Sequence, residues 1–343
     1  MNTSPKPLRW GILSTARIGR RNWAGMRESG AATLVAVASR DVEKAREFIA
    51  EMQETEPWEE VPLALGSYDE LLARRDIDAV YIPLPTALRK EWVMKAAAAG
   101  KHVLSEKPCA VSADDLCEMI ECCEANGVLF MDGVVFMHDL RFAAMRGILD
   151  DGSTLGDLKR ISSAFSFRAD DRFLIDNIRG SSGLEPAGCL GDLGWYCIRA
   201  SLWAMNWQLP VKVYGRVLEQ VDQAIMEFSG EMDFPGGVTA AFYCSFRTPD
   251  QKWLHLCGSG GNLRVADFVS PMEAVDFDWE INYSREPRVA TEGLGNVARM
   301  FVRFADEAAA DVPDLPWAEI ALKTQRVQDA CLLSSRLGTA VHL

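Results

Sequence analysis

The strongest constraint on this chain is the alternation, through its first third, of short continuous apolar runs with amphipathic helical patterns. Leu8 to Leu13 reads as a buried strand. A tight turn, Ser14-Thr15-Ala16-Arg17-Ile18-Gly19, leads into a helix that runs to about Glu28 and stops at Gly30. Leu34 to Ala38 is a second buried strand ending in Ser39-Arg40, and Asp41 caps a helix from Val42 to about Gln53. Glu51 to Gly66 is polar, carries Pro57 and Pro62, and reads as a loop before a short helix at Tyr68. Ala79 to Leu84, His102 to Leu104 and Val128 to Met131 are further buried strands. Helical patterns separate them, over Arg89 to Ala99 and around Leu116, Met119, Ile120 and Cys123. Strands alternating with helices at this spacing predict an α/β fold with a doubly wound, mostly parallel sheet.

The pattern changes after Gly133. Phe136 to Leu149 reads as a helix. Leu158–Phe167, Val211–Val217, Val238–Phe246, Trp253–Cys257, Leu263–Phe268 and Val275–Ile281 then alternate with a period of two, the signal of antiparallel strands. Helices over Asn296–Ala310 and Trp317–Leu337 close the chain. With 343 residues, the expectation is two domains, 1–131 and 132–343.

Composition narrows the function classes. A formal charge of −13 with no lysine- or arginine-rich run argues against nucleic acid as a partner. No apolar run approaches the roughly 20 residues that span a bilayer, and the N-terminus carries no apolar signal core. Nine scattered cysteines without a C-x-x-C pair suit reduced thiols in a cytoplasmic protein. Four histidines in no ligand-like cluster predict no metal site.

Three stretches carry chemistry. The strand-turn-helix-strand unit from Leu8 to Ala38 has the spacing of a dinucleotide-binding βαβ unit, about 30 residues. Its turn retains Gly19 but sets Ser14 and Ala16 where the glycine fingerprint would place two more glycines. Ser14, Thr15, Ala16, Arg17 and Ile18 are the candidate pyrophosphate cradle at a helix N-terminus; a plain strand-helix turn is the alternative. At the second strand end, Ser39 and Arg40 offer a hydroxyl and a guanidinium instead of a carboxylate. That suits a ribose 2′-phosphate, hence NADP(H) preferred with NAD(H) as second choice.

The second stretch is Ala96 to Pro108, a glycine-stopped helix, a buried strand, then Glu106-Lys107-Pro108. Ligands in open α/β sheets bind beyond the carboxyl ends of the strands. Lys107 is therefore either a positioned charge or a solvated turn lysine. The neighbouring strand end, Pro83-Leu84-Pro85, and Glu106 join it as candidate cofactor contacts. The third stretch is Gly191 to Arg199. On a helix starting near Asp192, that residue and Tyr196 share a face, with Arg199 near it. They are candidate substrate contacts; a helix cap and a packed aromatic are the alternative roles. His138, Asp139 and Trp195 are further pocket candidates, with capping or packing as their other role.

Taken together, WGILSTARIG at Trp10–Gly19, AGKHVLSEKP at Ala99–Pro108 and GDLGWYCIR at Gly191–Arg199 resemble the glucose-fructose oxidoreductase/inositol dehydrogenase (Gfo/Idh/MocA) family. The Asp-x-Gly-x-Tyr version resembles its dihydrodiol dehydrogenase and xylose dehydrogenase branch. The resemblance implies a Rossmann-type N-terminal domain and an α+β C-terminal domain with a large, mostly antiparallel open sheet. It also implies a homo-oligomer, dimer or tetramer, assembled through that sheet. The implied activity is hydride transfer between a nicotinamide and a secondary alcohol or carbonyl of an aldose or cyclic diol. Lys107 matches the family's site lysine, Tyr196 its acid/base and Asp192 a substrate-orienting carboxylate. Arg89 departs from the family, standing where many members carry histidine, and Pro85-Thr86 replaces the more frequent Pro-Asn. An NAD-dependent glycosidase and a non-catalytic nucleotide- or sugar-binding sensor are the competing readings.

Overall fold

The computed structural model describes residues 6–170, 181–269, 277–281, 284–288, 293–310 and 316–343. In chain order the described elements begin with β1 (Leu8–Leu13), α1 (Ile18–Ser29), β2 (Ala32–Ala38), α2 (Val42–Thr55), β3 (Leu63–Leu65) and α3 (Tyr68–Leu72). Then come β4 (Ala79–Ile82), α4 (Thr86–Ala98), β5 (His102–Ser105), α5 (Ala113–Ala125), β6 (Phe130–Asp132) and α6 (Leu140–Asp150). After β7 (Leu158–Ser166), a π-helical turn at Leu190–Gly194 runs into α7 (Trp195–Ala204). The remaining strands are β8 (Lys212–Val221), β9 (Ala224–Asp233), β10 (Thr239–Ser245), β11 (Leu254–Gly258), β12 (Gly261–Val265), β13 (Phe277–Ile281) and β14 (Ser284–Arg288). Helices α8 (Asn296–Ala309) and α9 (Trp317–Leu337) and strand β15 (Val341–His342) follow. Two compact units result: Met1–Ala110 with Asp114–His138 and Gly293–Ala321, and Val111–Ala113 with Asp139–Glu292 and Leu322–Leu343.

The first unit is a six-stranded parallel sheet in the order β3-β2-β1-β4-β5-β6. The apolar runs read from the sequence are its buried strands: Ile12, Val37, Val80, Tyr81, Val103 and Leu104 have no exposed surface. The strand order reverses between β1 and β4, so the ligand crevice of such a sheet opens beyond their carboxyl ends. One face is covered by α1 and α8. Trp10 on β1 meets Phe301 edge-on at 5.1 Å and Phe304 at 4.8 Å. Trp23 and Met26 on α1 join the same cluster with Met300 and Trp317. Close approach of the two helices depends on Gly25, where an added Cβ would fall 2.3 Å from Val297 Cγ1. At the opposite end of β1, Arg9 grips Asp78 with Nε at 2.9 Å and Nη2 at 2.7 Å. That guanidinium holds the Asp78 carboxyl below the usual carboxylate range.

The second unit is a nine-stranded sheet in the order β14-β13-β12-β11-β7-β10-β9-β8-β15. It is mixed: β7 and β10 run parallel and the other pairs are antiparallel. Alternate residues of β10, Ala240, Phe242 and Cys244, are buried. A Cβ at Gly194 would sit 3.2 Å from Cys244 Sγ, so the π-turn lies directly on β10. Gly215 on β8 likewise lets the Cys331 carbonyl of α9 approach, within 2.2 Å of where a Cβ would stand.

Several expectations are corrected. The loop expected over Glu51 to Gly66 is helical to Thr55 and contains β3, whose Leu63–Leu65 pair with Ala36–Ala38. β3 escapes a pattern reading because it is three residues at the sheet edge with Leu63 exposed. The helix expected over Phe136 to Leu149 is interrupted: Val135–His138 is a 3₁₀ turn, and Asp139 starts α6 afresh by accepting the Arg141 N–H at 2.9 Å. β8 reaches Val221 rather than Val217, and β9 and β14 were not expected at all. In the strand expected over Val275 to Ile281, Val275 and Asp276 lie outside the described residues.

Two outcomes follow. Gly25→Ala should lower stability by about 1–3 kcal/mol, measured by denaturant unfolding, because the methyl forces α1 and α8 apart. The contribution of Asp78 is present above the ordinary carboxylate pKa of about 4 and is lost as pH falls through its depressed folded value. Asp78→Asn should therefore flatten the acid side of the Tm–pH curve.

Candidate active site

The turn after β1 resolves the question of its missing glycines. Ser14 adopts φ 127°, a conformation normally left to glycine. Its Oγ accepts the Ala16 N–H at 3.3 Å and so closes the turn that a glycine would make without help. Ser14, Thr15 and Ala16 are partly exposed, and Arg17 and Ile18 are exposed. α1 begins with no side-chain cap on its first N–H groups, the arrangement that receives a phosphate. Gly19 is buried, with Phe48 Cζ 3.3 Å from where a Cβ would stand. The turn thus keeps a glycine-type bend, followed by an uncapped helix start, without two of the fingerprint glycines. These residues fit a dinucleotide.

At the end of β2, Ser39 is buried and its Oγ accepts the Asp41 N–H at 3.3 Å, while Arg40 is exposed. The Arg40 charge acts on the Tyr68 phenol at the start of α3, lowering a pKa that burial raises. Arg40 and Tyr68 are therefore neighbours at the strand ends that would take an adenosine ribose.

The ends of β4 and β5 are more tightly built. Lys107 is the one residue between Val103 and Ala110 that is not buried. Its N–H donates to Glu106 Oε2 at 3.2 Å. Glu106 Oε1 accepts from the Tyr81 hydroxyl at 2.6 Å, which in turn accepts from Asn22 Nδ2 at 2.8 Å. The donors all point toward the carboxylate, so both oxygens of Glu106 are engaged by the protein itself. A Cβ at Gly133 would sit 3.3 Å from Glu106 Oε1, so the small residue there leaves the carboxylate its room. Of the strand end Pro83-Leu84-Pro85, only Pro85 is partly exposed. The Leu84 carbonyl accepts from Arg89 Nε at 2.7 Å, and Arg89 Nη1 also donates to the Pro108 carbonyl. The peptide bond joining Lys107 to Pro108 is cis. Tyr81 and Asn22 were not singled out in the sequence, since their role depends on a 25-residue and a 59-residue separation.

In the second unit the same economy recurs. From Ala187 to Ala204 every residue is buried except Asp192 and Tyr196. The π-turn carries Asp192 and the first turn of α7 carries Tyr196, four residues on. Tyr196 stands edge-on to Phe165 of β7 at 5.4 Å. Arg199, expected near that face, has no exposed surface; its Nε donates to Thr324 Oγ1 at 2.7 Å. Trp195 is fully buried beneath the Arg199 guanidinium and is a packing residue. Asp139 caps α6 and pairs with Arg141 at 2.6 Å, and in the first unit His138 stacks on Trp317 at 5.1 Å. No group of side chains among the described residues has the makings of a metal site. No helix among them is long and apolar enough to cross a membrane.

Comparison with known proteins agrees with the fold. Residues 8–134 match the GFO/IDH/MocA oxidoreductase family with an NAD-binding Rossmann fold, and residues 142–264 match the GFO/IDH/MocA C-terminal domain. D-xylose 1-dehydrogenase (NADP(+)) 2 of Haloferax volcanii is 32% identical over 343 residues, covering 97% of this chain and 99% of that protein. Trans-1,2-dihydrobenzene-1,2-diol dehydrogenase of Mus musculus is 31% identical, covering 78% of this chain and 77% of its own. Among solved structures, aldose-aldose oxidoreductase from Caulobacter crescentus superposes with a TM-score of 0.87 over 98% of this chain and 100% of that one. At 21% identity that likeness is one of fold.

The turn supplies a test of its own. Ser14→Gly should be more stable than Ser14→Ala by about 1–2 kcal/mol in chemical denaturation, since alanine keeps the unfavourable φ and loses the Oγ bond.

Proposed function

The chain belongs to the GFO/IDH/MocA oxidoreductase family, and on that premise we propose that it is an NADP(H)-preferring dehydrogenase of an aldose or a cyclic diol. One observation carries the residue assignment. In two otherwise buried stretches, the only side chains left accessible are Lys107 in one and Asp192 and Tyr196 in the other. Burial of their neighbours fixes these three groups on rigid elements, as acid–base chemistry requires.

Ser14 to Ile18 hold the pyrophosphate at the start of α1. Ser39 and Arg40 bind the ribose 2′-phosphate by hydrogen bonding and charge, and the strand ends Pro83-Leu84-Pro85 and Glu106-Lys107 border the redox end. The xylose dehydrogenase relative is named for NADP(+), which supports that choice. The nicotinamide cofactor, when bound, exchanges a hydride at ring carbon C4. Tyr196 takes the substrate hydroxyl proton in oxidation and returns it in reduction. A free phenol, with a pKa of about 10, is a poor base at neutral pH, and a neighbouring cation would favour its ionised form; Lys107 stands in the stretch that resembles the family's site lysine. Asp192 accepts a hydrogen bond from a neighbouring substrate hydroxyl and so orients the reacting carbon.

A polyhydroxylated neutral substrate suits one carboxylate, one phenol and one ammonium, and the relatives named for xylose and for a dihydrodiol support this class. Ser14 in a glycine conformation supports dinucleotide binding despite the substitutions, and the dehydrogenases and reductases among the relatives favour a catalytic reading over a sensor. Assembly into a dimer or tetramer through the nine-stranded sheet is part of the proposal. So is a reducing, cytoplasmic setting, supported by nine free cysteines, with burial pushing the Cys123 thiol up to about 12.

Steady-state kinetics with D-xylose and with a cyclic trans-diol test the assignment. Tyr196→Phe should reduce kcat by about 10²–10⁴ while the Kd for NADPH stays within about twofold. Turnover close to that of the native protein would remove Tyr196 from the mechanism.

A further inference from the structure

Arg89 is a buried cation satisfied only by neutral groups. It lies in the first turn of α4 and is 5% exposed. Its Nε donates to the Leu84 carbonyl at 2.7 Å, and its Nη1 to Thr86 Oγ1 at 3.2 Å and to the Pro108 carbonyl. No carboxylate among the described residues pairs with it. A guanidinium does not lose its proton in a protein, so the charge is permanent. Two carbonyl oxygens and one hydroxyl take three of its five N–H donors without cancelling that charge, and burial leaves its field weakly screened.

The position of this charge matters. In a sheet ordered β3-β2-β1-β4-β5-β6, a dinucleotide lies across the switch point with one mononucleotide over each half. Ser39 and Arg40 at the end of β2 claim the adenosine half. The nicotinamide half is left over β4 and β5, whose ends Arg89 ties together through Leu84 and Pro108. Lys107, Glu106 and the buried Asp132 at the end of β6 are the other charged groups at that edge. Glu106 is engaged by its own neighbours, Tyr81 and the Lys107 N–H.

An oxidised nicotinamide ring carries one positive charge and the reduced ring none. We propose that Arg89 is a positioning residue that also biases the bound cofactor toward its reduced form, by opposing the charge of the oxidised ring. This rests on the reading that the chain binds a nicotinamide dinucleotide. The function so added is control over which redox state the protein retains, and therefore over the favoured direction of the reaction at the site.

The test is the ratio Kd(NADP⁺)/Kd(NADPH), from quenching of tryptophan fluorescence. Phosphate, ribose and adenine contacts are common to both forms and cancel in the ratio, as does any uniform loosening of the site. Arg89→Gln should lower the ratio about tenfold, and Arg89→Lys should leave it within about twofold of the native value. Arg89→His carries a charge that can be titrated within one folded protein. Its ratio should be higher at about pH 5.5 than at about pH 8, while that of the native protein stays constant. An unchanged ratio in Arg89→Gln, or a flat ratio in Arg89→His, overturns the proposal and leaves the dinucleotide reading intact. Equal loss of both forms in every variant makes Arg89 a clamp alone and overturns it too. Binding of neither form by the native protein removes the dinucleotide reading itself.

Discussion

A parallel sheet is apolar on both faces, and the first unit depends on covering the face that carries Trp10. That indole has no exposed surface, and two phenylalanines of α8 close over it. Fully burying one large side chain contributes roughly 1.5–3 kcal/mol. The cluster of Trp10, Trp23, Met26, Met300, Phe301, Phe304 and Trp317 is therefore a substantial share of what holds the unit together. With the sheet covered, its carboxyl edge becomes a fixed platform. The Ser14 turn, the Arg40 corner and the Lys107 strand end are then set by β1, β2 and β5 rather than by loops of their own.

The chemical groups are distinguished less by what they touch than by the burial of everything around them. Glu106 shows the principle in detail. Its two oxygens are committed to Tyr81 and to the Lys107 amide, so the carboxylate acts on the chain next to the lysine. Arg89 does the same on the other side, through the Pro108 carbonyl. Lys107 is thus held at both flanks by groups whose charges are opposite. In the second unit, Gly194 allows the π-turn to lie on Cys244, and that contact sets the level at which Asp192 and Tyr196 emerge.

Much of this was legible from residue patterns, for reasons that also explain the failures. The strands of the parallel sheet announce themselves because burial on both faces demands unbroken apolar runs such as Ala79–Ile82. Lys107, Asp192 and Tyr196 stand out in the sequence because each is polar within an apolar or glycine-bearing stretch, and the structure leaves each partly exposed among buried neighbours. β3 was not, being three residues with one exposed face. The hairpin between β8 and β9 was missed because its turn uses Asp222 at φ 44° and Gln223 at φ 72°, a geometry usually signalled by Asn-Gly or Asp-Gly. Arg199 misled because helical spacing fixes an angle around the axis but not what covers it; Thr324 lies 125 residues away. Asn22 and Tyr81 look like ordinary helix and strand residues, and only the fold brings them to Glu106.

The return of α8 to the first unit has a consequence for how the protein is made. Trp10 and Phe301 are separated in chain order by strands β7 to β14 of the second unit's sheet. At ribosomal speeds of about 5–20 residues per second, the indole waits on the order of 15–60 s for its cover. During that interval the nascent sheet shows an aromatic face to solvent or to whatever chaperone attends the ribosome. Completion of the amino-terminal half is thus a late event of synthesis, tied to release of the carboxyl-terminal helices.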